Sequence, residues 1–240
     1  MIPESVVQKL RTSLRGQTFC PDEPGYDEAR TIPNAMIDRR PAMIARCAGA
    51  ADVIACVREA REHDLLVSVR GGGHSIAGKA VCEDGLMIDM SGMKGIRVDP
   101  ARQTVRAQTG LKLGEFDRET QAFGLATTQG LVPTVGIAGL TLGGGWGNLH
   151  AKFGLAIDNV IAADVVTADG RFLTANASEN ADLFWGILAV AGTLGLLLLL
   201  NIDCTKSARF TEAQFFFQQR RQRKYCICGA NLPQRVPTNW

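Results

Sequence analysis

Between residues 42 and 108 the spacing of apolar positions changes twice. Ala42–Cys47 is a short apolar run and predicts a strand. In Gly49–His63, Val53, Ile54, Val57 and Ala60 recur at helical spacing with Arg58, Glu59, Arg61 and Glu62 outward, which predicts an amphipathic helix. Leu66, Val67 and Val69 return to a period of two with β-branched side chains and predict a short buried strand. Further strands are predicted at Leu86–Met90, Ile96–Asp99 and Thr104–Gln108, a helix from Leu113 to Phe123, and extended chain over Gly124–Thr128. Val160–Ala168 and Arg171–Thr174 read as a hairpin closed by Ala168-Asp169-Gly170. A short helix over Ser5–Leu14 opens the chain, and no internal repeat is seen.

The strand–helix–strand unit ends in Arg70-Gly71-Gly72-Gly73-His74-Ser75. Three glycines remove every Cβ from a turn, so its backbone can approach another molecule and aim N–H groups at an anion such as a phosphate. Arg70 adds a fixed positive charge. A plain glycine-rich turn between strands is the alternative reading. The common nucleotide fingerprints do not apply. Gly73–Ala80 fails the P-loop pattern at Ala80, where a hydroxyl belongs, and is followed by a predicted strand instead of a helix. Gly71 and Gly73 are followed by Ile76 where a dinucleotide motif has its third glycine. A second dense region carries Gly130, Gly136, Gly139, Gly143, Gly144, Gly145 and Gly147, too much glycine for the interior of a helix or strand. It fits backbone passing close to a flat or extended ligand.

The 240 residues are enough for one large domain or two small ones, and 46% hydrophobic with 21% charged residues is ordinary for a globular protein. A net charge of +2 gives no reason to expect nucleic acid or an anionic membrane as partner. Seven cysteines, an odd and scattered count, read as reduced cytosolic thiols. Met1–Arg15 has no continuous apolar leader, so a cytoplasmic location is expected. Cys226-Ile227-Cys228 lacks a second ligand pair, and no metal is expected.

Several phrases, in order, resemble the FAD-binding domain of berberine-bridge-enzyme-like flavin oxidoreductases, members of the wider vanillyl-alcohol-oxidase group with a PCMH-type FAD domain. They are RRPAMIARCAGAADVIACVREAREHDLLVSVRGGGHSIAG, GLMIDMSGMKGIRVDP, LGEFDRETQAFGLAT, PTVGIAGLTLGGGWGNLHAKFGLAIDNVIAADVVTADGR and ENADLFW, spanning about Tyr26–Trp185. The resemblance implies an α+β fold in which two α/β subdomains grip an extended FAD. It implies residues 1–35 as an N-terminal segment, 36–206 as the FAD domain and 207–240 as an unrecognised tail. It assigns the pyrophosphate to the loop Arg70–His74, counts Ser75 and Gly78 among the cofactor-binding residues, and gives covalent flavin attachment to His74, whose plain alternative is a loop histidine capping a backbone group. Val132 stands where some members carry a second attaching cysteine, so His74 is the single expected anchor. Thr134, Val135 and Gly139 are also expected to bind the cofactor, and Gly143, Gly144, Gly145, Gly147 and Asn148 match the segment along the isoalloxazine and ribityl chain. Val165 matches the residue whose backbone meets the adenine. The implied activity is oxidation of a small organic substrate by hydride transfer to FAD; the catalytic base is not identified.

After Trp185 the pattern decays. Leu188 replaces an arginine, and Ala189, Val190 and Ala191 replace glycines, within the eighteen uncharged residues Leu183–Leu200. That run is long enough for a membrane helix, but Gly186, Gly192, Gly195 and Trp185 favour a buried strand and turn. Nothing after Asn201 is recognised; Phe215–Lys224 reads as a poorly specified tail or a basic amphipathic helix. The family's substrate domain is expected to be missing, as in a truncated or frame-altered product. Two functions therefore stay open: an FAD-dependent oxidoreductase, or a non-catalytic FAD-holding remnant or partner subunit. Self-association through an exposed interface is expected in either case.

Overall fold

Apolar runs and amphipathic stripes sort into three buried clusters, and these fix where each element lies. The structure is a computed structural model that describes residues 2–189 and 196–206. β1 (Gln17–Phe19), β2 (Met43–Arg46), β3 (Val67–Arg70) and β4 (Leu86–Asp89) form a sheet in the order β1-β2-β4-β3, in which only β1 runs antiparallel to its neighbour. β2 and β4 are continuously apolar because both their faces are covered. Met43, Ala45, Leu86 and Ile88 pack with α1 (Glu4–Ser13) and α3 (Ala50–Glu62), while Ile44 and Met87 pack with α2 (Tyr26–Arg30).

Two expectations about this sheet are corrected. β3 exists where predicted, but its burial is reversed. Val67 and Val69 are 37% and 39% exposed and Leu66 61%, while Ser68 and Arg70 are buried. β3 is an edge strand, and α3 packs over β4 beside it. Glu59, read as outward on α3, is buried and pairs with Lys9.

The second sheet is antiparallel throughout. β5 (Ile96–Asp99), β6 (Thr104–Gln108), β8 (Val160–Val166), β9 (Phe172–Asn176) and β10 (Leu196–Asp203) lie in the order β5-β6-β10-β8-β9. One face, with Val105, Ala107, Ala163, Val165, Leu200 and Ile202, packs against α4 (Leu113–Gln121), α5 (Ile137–Leu142) and α7 (Ala181–Ala189). β7 (Leu125–Ala126) pairs with β11 (Thr205–Lys206), and α6 (His150–Phe153) follows the second glycine region. The architecture is the expected α+β arrangement of two sheet-and-helix halves.

The run Leu183–Leu200 is neither a membrane helix nor a single strand and turn. Its first part is α7, with Gly186 inside the helix and Trp185 74% exposed on it, and its last part begins β10. Among the described residues no helix is long and apolar enough to cross a membrane. The expectations for Val190, Ala191, Gly192 and Gly195 and for residues 207–240 lie outside the described residues. The five described cysteines are free thiols, four of them buried.

Candidate functional site

β3 ends in the first glycine turn, and that turn lies directly on the second glycine region. A Cβ built on Gly72 would stand 2.2 Å from Gly136 N, and one on Gly136 would stand 2.4 Å from Gly72 N. No side chain fits between two backbones this close, so the crossing requires glycine on both sides. On the far side of the turn a Cβ at Gly71 would stand 3.1 Å from the Thr109 carbonyl. Gly73 and Gly78 adopt φ of +76° and +68°, where other residues are strained. Ser75 holds the turn's exit: its carbonyl accepts from Gly78 N at 3.1 Å and its hydroxyl from Lys79 N at 3.3 Å.

The second region is anchored on α4. Leu113 N donates to Val135 O at 2.9 Å, Gly114 N to Pro133 O at 3.0 Å and Ile137 N to Leu111 O at 3.0 Å. This pairing presents exposed Thr134 and half-buried Val135 beside the Gly72–Gly136 crossing. Gly139, expected in a loop, lies inside α5, where a Cβ would meet nothing within 4 Å. Gly144 and Gly145 turn the chain with φ of +100° and +74°, and their carbonyls accept from Ile157 N and Ala156 N. Gly147 is pressed onto the earlier segment at Gln129, since its Cβ would fall 1.5 Å from Gln129 O. Asn148 is exposed.

Unpaired polar atoms fall in and beside the two glycine regions. Eight buried side-chain nitrogen and oxygen atoms lack hydrogen-bond partners among the described residues. Six of them are His74 Nε2, the hydroxyls of Thr127, Thr128 and Thr141, and both amide atoms of Gln129. A buried polar group left unpaired costs about 1–3 kcal/mol. Their concentration in the two glycine regions and the segment between them marks a place made for a polar ligand. Thr127–Gln129 were not recognised from sequence. The available signal was a polar Thr-Thr-Gln triplet between a strand and a glycine-dense loop.

Arg70 does not face the turn. Its Nε and one terminal nitrogen donate to Asp89 at 3.1 and 2.6 Å, and the other donates to Ala29 O at 2.5 Å and Thr31 O at 3.3 Å. Arg46, Asp89 and Arg70 share one row across β2, β4 and β3. Burial pushes the Asp89 carboxyl up, but the guanidiniums of Arg70 and Arg46 and the Ser91 N–H outweigh it and hold the group below its ordinary range. The expected phosphate charge is thus spent on placing the strand end and the α2 segment. Val165 lies in β8 between β10 and β9, with its side chain in the core. Glu59, Glu62 and His63 have ligand atoms within 4.8 Å of one another, but at the opposite end of β3, and Lys9 already holds Glu59.

Two sheets joined by a glycine-on-glycine crossing, with unpaired polar groups around it, define a domain that holds a ligand against bare backbone. The FAD binding domain family matches residues 41–176, more than half of the chain, and the chain belongs to that family. Among curated relatives, (R)-6-hydroxynicotine oxidase of Paenarthrobacter nicotinovorans is 36% identical over 209 residues, which are 86% of this chain and 46% of that protein. The FAD-linked oxidoreductase YgaK of Bacillus subtilis is 35% identical over 73% of this chain and 40% of its own length. Among solved structures, 6-hydroxy-D-nicotine oxidase from Arthrobacter nicotinovorans superposes with a TM-score of 0.79 at 36% identity, covering 81% of this chain and 43% of that one. BBE-like 1 of Physcomitrella patens gives 0.79 at 31% identity over 84% and 44%. The chain spans less than half the length of these relatives.

Proposed function

We propose that this chain is the FAD-binding portion of an FAD-dependent oxidoreductase, with the flavin attached covalently through His74 and a small organic molecule as substrate. The observation that carries the reading is His74 Nε2, enclosed and unpartnered in the turn that crosses Gly136. The glycine crossing and the unpaired polar wall fit a cofactor that lies along backbone, and relatives over most of the chain are named as oxidases or FAD-linked oxidoreductases. Bound FAD supplies the redox chemistry, accepting a hydride from a substrate carbon. The chain's residues supply position. Gly71–Gly73 and Gly143–Gly145 offer main chain without side-chain obstruction, and Arg70 with Asp89 fixes the strand end from which His74 projects. A second reading is an FAD-holding subunit without turnover of its own.

The chain expressed with excess FAD should stay yellow after denaturation and fluoresce in an acid-treated gel. His74→Ala should lose that signal while keeping exchangeable FAD. Colour that persists through denaturation of His74→Ala would refute the attachment, and a flavin-free wild type would refute both readings. Anaerobic substrate-dependent bleaching of the flavin separates an oxidoreductase from a silent FAD holder.

A further inference from the structure

Gln129 is only 6% exposed, and neither its Oε1 nor its Nε2 has a partner among the described residues. A primary amide kept dry with donor and acceptor both unspent is a binding group waiting for a complementary edge. Its position is set on both sides. Gly147 is pressed against its carbonyl, and its neighbour Gly130 is covered by the side chains of Leu140 on α5 and Leu113 on α4. The flanking hydroxyls of Thr127 and Thr128, and that of Thr141 on α5, are equally buried and unpaired.

We infer that Gln129 reads the pyrimidine edge of the flavin ring, its amide giving one hydrogen bond to a ring carbonyl and taking one from the adjacent ring N–H. This rests on the FAD reading above. The flavin's imide edge alternates acceptor, donor, acceptor, and a carboxamide matches any two neighbouring positions of that pattern. Adenine also offers a neighbouring donor and acceptor to a carboxamide, and comparison with ADP separates that reading from this one. In the structure the amide is enclosed, with Gly147 lying against the Gln129 backbone. Gln129 is a positioning and selecting residue, not a catalytic one.

The test compares FAD with ADP, which lacks the ring, in the His74→Ala background so that ligand exchanges freely. Gln129→Met keeps length and removes the amide. Because it deletes an unpaired buried group, the ligand-free chain should melt no lower than its parent, which guards against a folding artefact. FAD affinity, followed by quenching of flavin fluorescence, should fall about tenfold (about 1.4 kcal/mol), with ADP affinity unchanged. Gln129→Glu, which can accept but not donate, should weaken FAD at least as much. Unchanged FAD affinity in Gln129→Met, or equal losses for FAD and ADP, would overturn the inference while leaving the FAD reading intact. A parent that binds no FAD would overturn both.

Discussion

Substituting Gly72 by alanine asks whether the two glycine regions really cross. The new methyl would sit 2.2 Å from Gly136 N and 2.6 Å from Gly136 Cα, whereas ordinary contact begins at 3.4 Å. One backbone must therefore retreat by about 1.2 Å (3.4 less 2.2), and neither is free to do so. The Gly136 side is pinned by the bonds from Leu113 N and Ile137 N, and the Gly72 side follows directly on the buried Arg70–Asp89 pair. Overpacking of this kind costs about 1–3 kcal/mol and more when the obstacle is backbone. For a domain of this size that is a fall of about 2–12 °C in Tm. Gly139→Ala is the control in the same region, since its methyl meets nothing within 4 Å and lies inside α5. It should stabilise by about 0.5–1 kcal/mol. Thermal unfolding followed by circular dichroism gives both numbers, and FAD titration should show a large loss for Gly72→Ala. If Gly72→Ala melts and binds like wild type, the regions do not cross as described.

Three further outcomes are expected. Burial pushes the Asp117 carboxyl up to about 6 from an ordinary 3.8. The folded state thus holds the extra proton between those values, and stability falls as pH rises through that window, by at most about 3 kcal/mol; Asp117→Asn should be more stable at pH 7 and lose that slope in urea melts. Asp89→Asn leaves the Arg70 and Arg46 guanidiniums without their shared carboxylate and should cost about 3–5 kcal/mol. Asp89 is held low, so its contribution is present above the ordinary carboxylate range and lost as pH falls through its folded value; a variant as stable as wild type at pH 7 would contradict the ion-pair row. Trp146 stands 56% exposed between Gly145 and Gly147, with Nε1 3.2 Å from His150 Nε2. FAD should quench its fluorescence, and Trp146→Phe should remove most of that quenching.

Element types were legible wherever one period ran long enough. Ile96–Asp99 and Thr104–Gln108 are observed with the predicted ends, and the predicted helix over Gly49–His63 is Ala50–Glu62. Which face of a strand is buried was not legible. Val67 and Val69 alternate with Ser68 and Arg70, and local pattern assigns the apolar pair inward. The opposite holds because β3 is at the sheet edge and because Asp89, one strand away, gives Arg70 a reason to be inside. A buried ion pair across parallel strands leaves no trace in the spacing of either strand alone. The same limit applies to Arg70 as a phosphate ligand, since its charge could not be known to be spent until its partner was placed.

The site itself depends on the least legible part of the chain. Five consecutive leucines, Leu196–Leu200, fit a helix or a strand equally by composition. What decides is that β6 and β8 each present a ladder to the space between them, and β10 fills it from both sides. Two residues later, Thr205 and Lys206 pair with Ala126 and Leu125, immediately before Thr127–Gln129. The polar wall opposite Gly147 is thus held in place by strands that lie about 80 residues further along the chain, a long closure whose entropy must be recovered by the sheet before the site exists. Local sequence identifies the glycines because close approach forbids every other residue there. It is silent on Gln129 because nothing about a glutamine, taken alone, says that a distant strand will bury it.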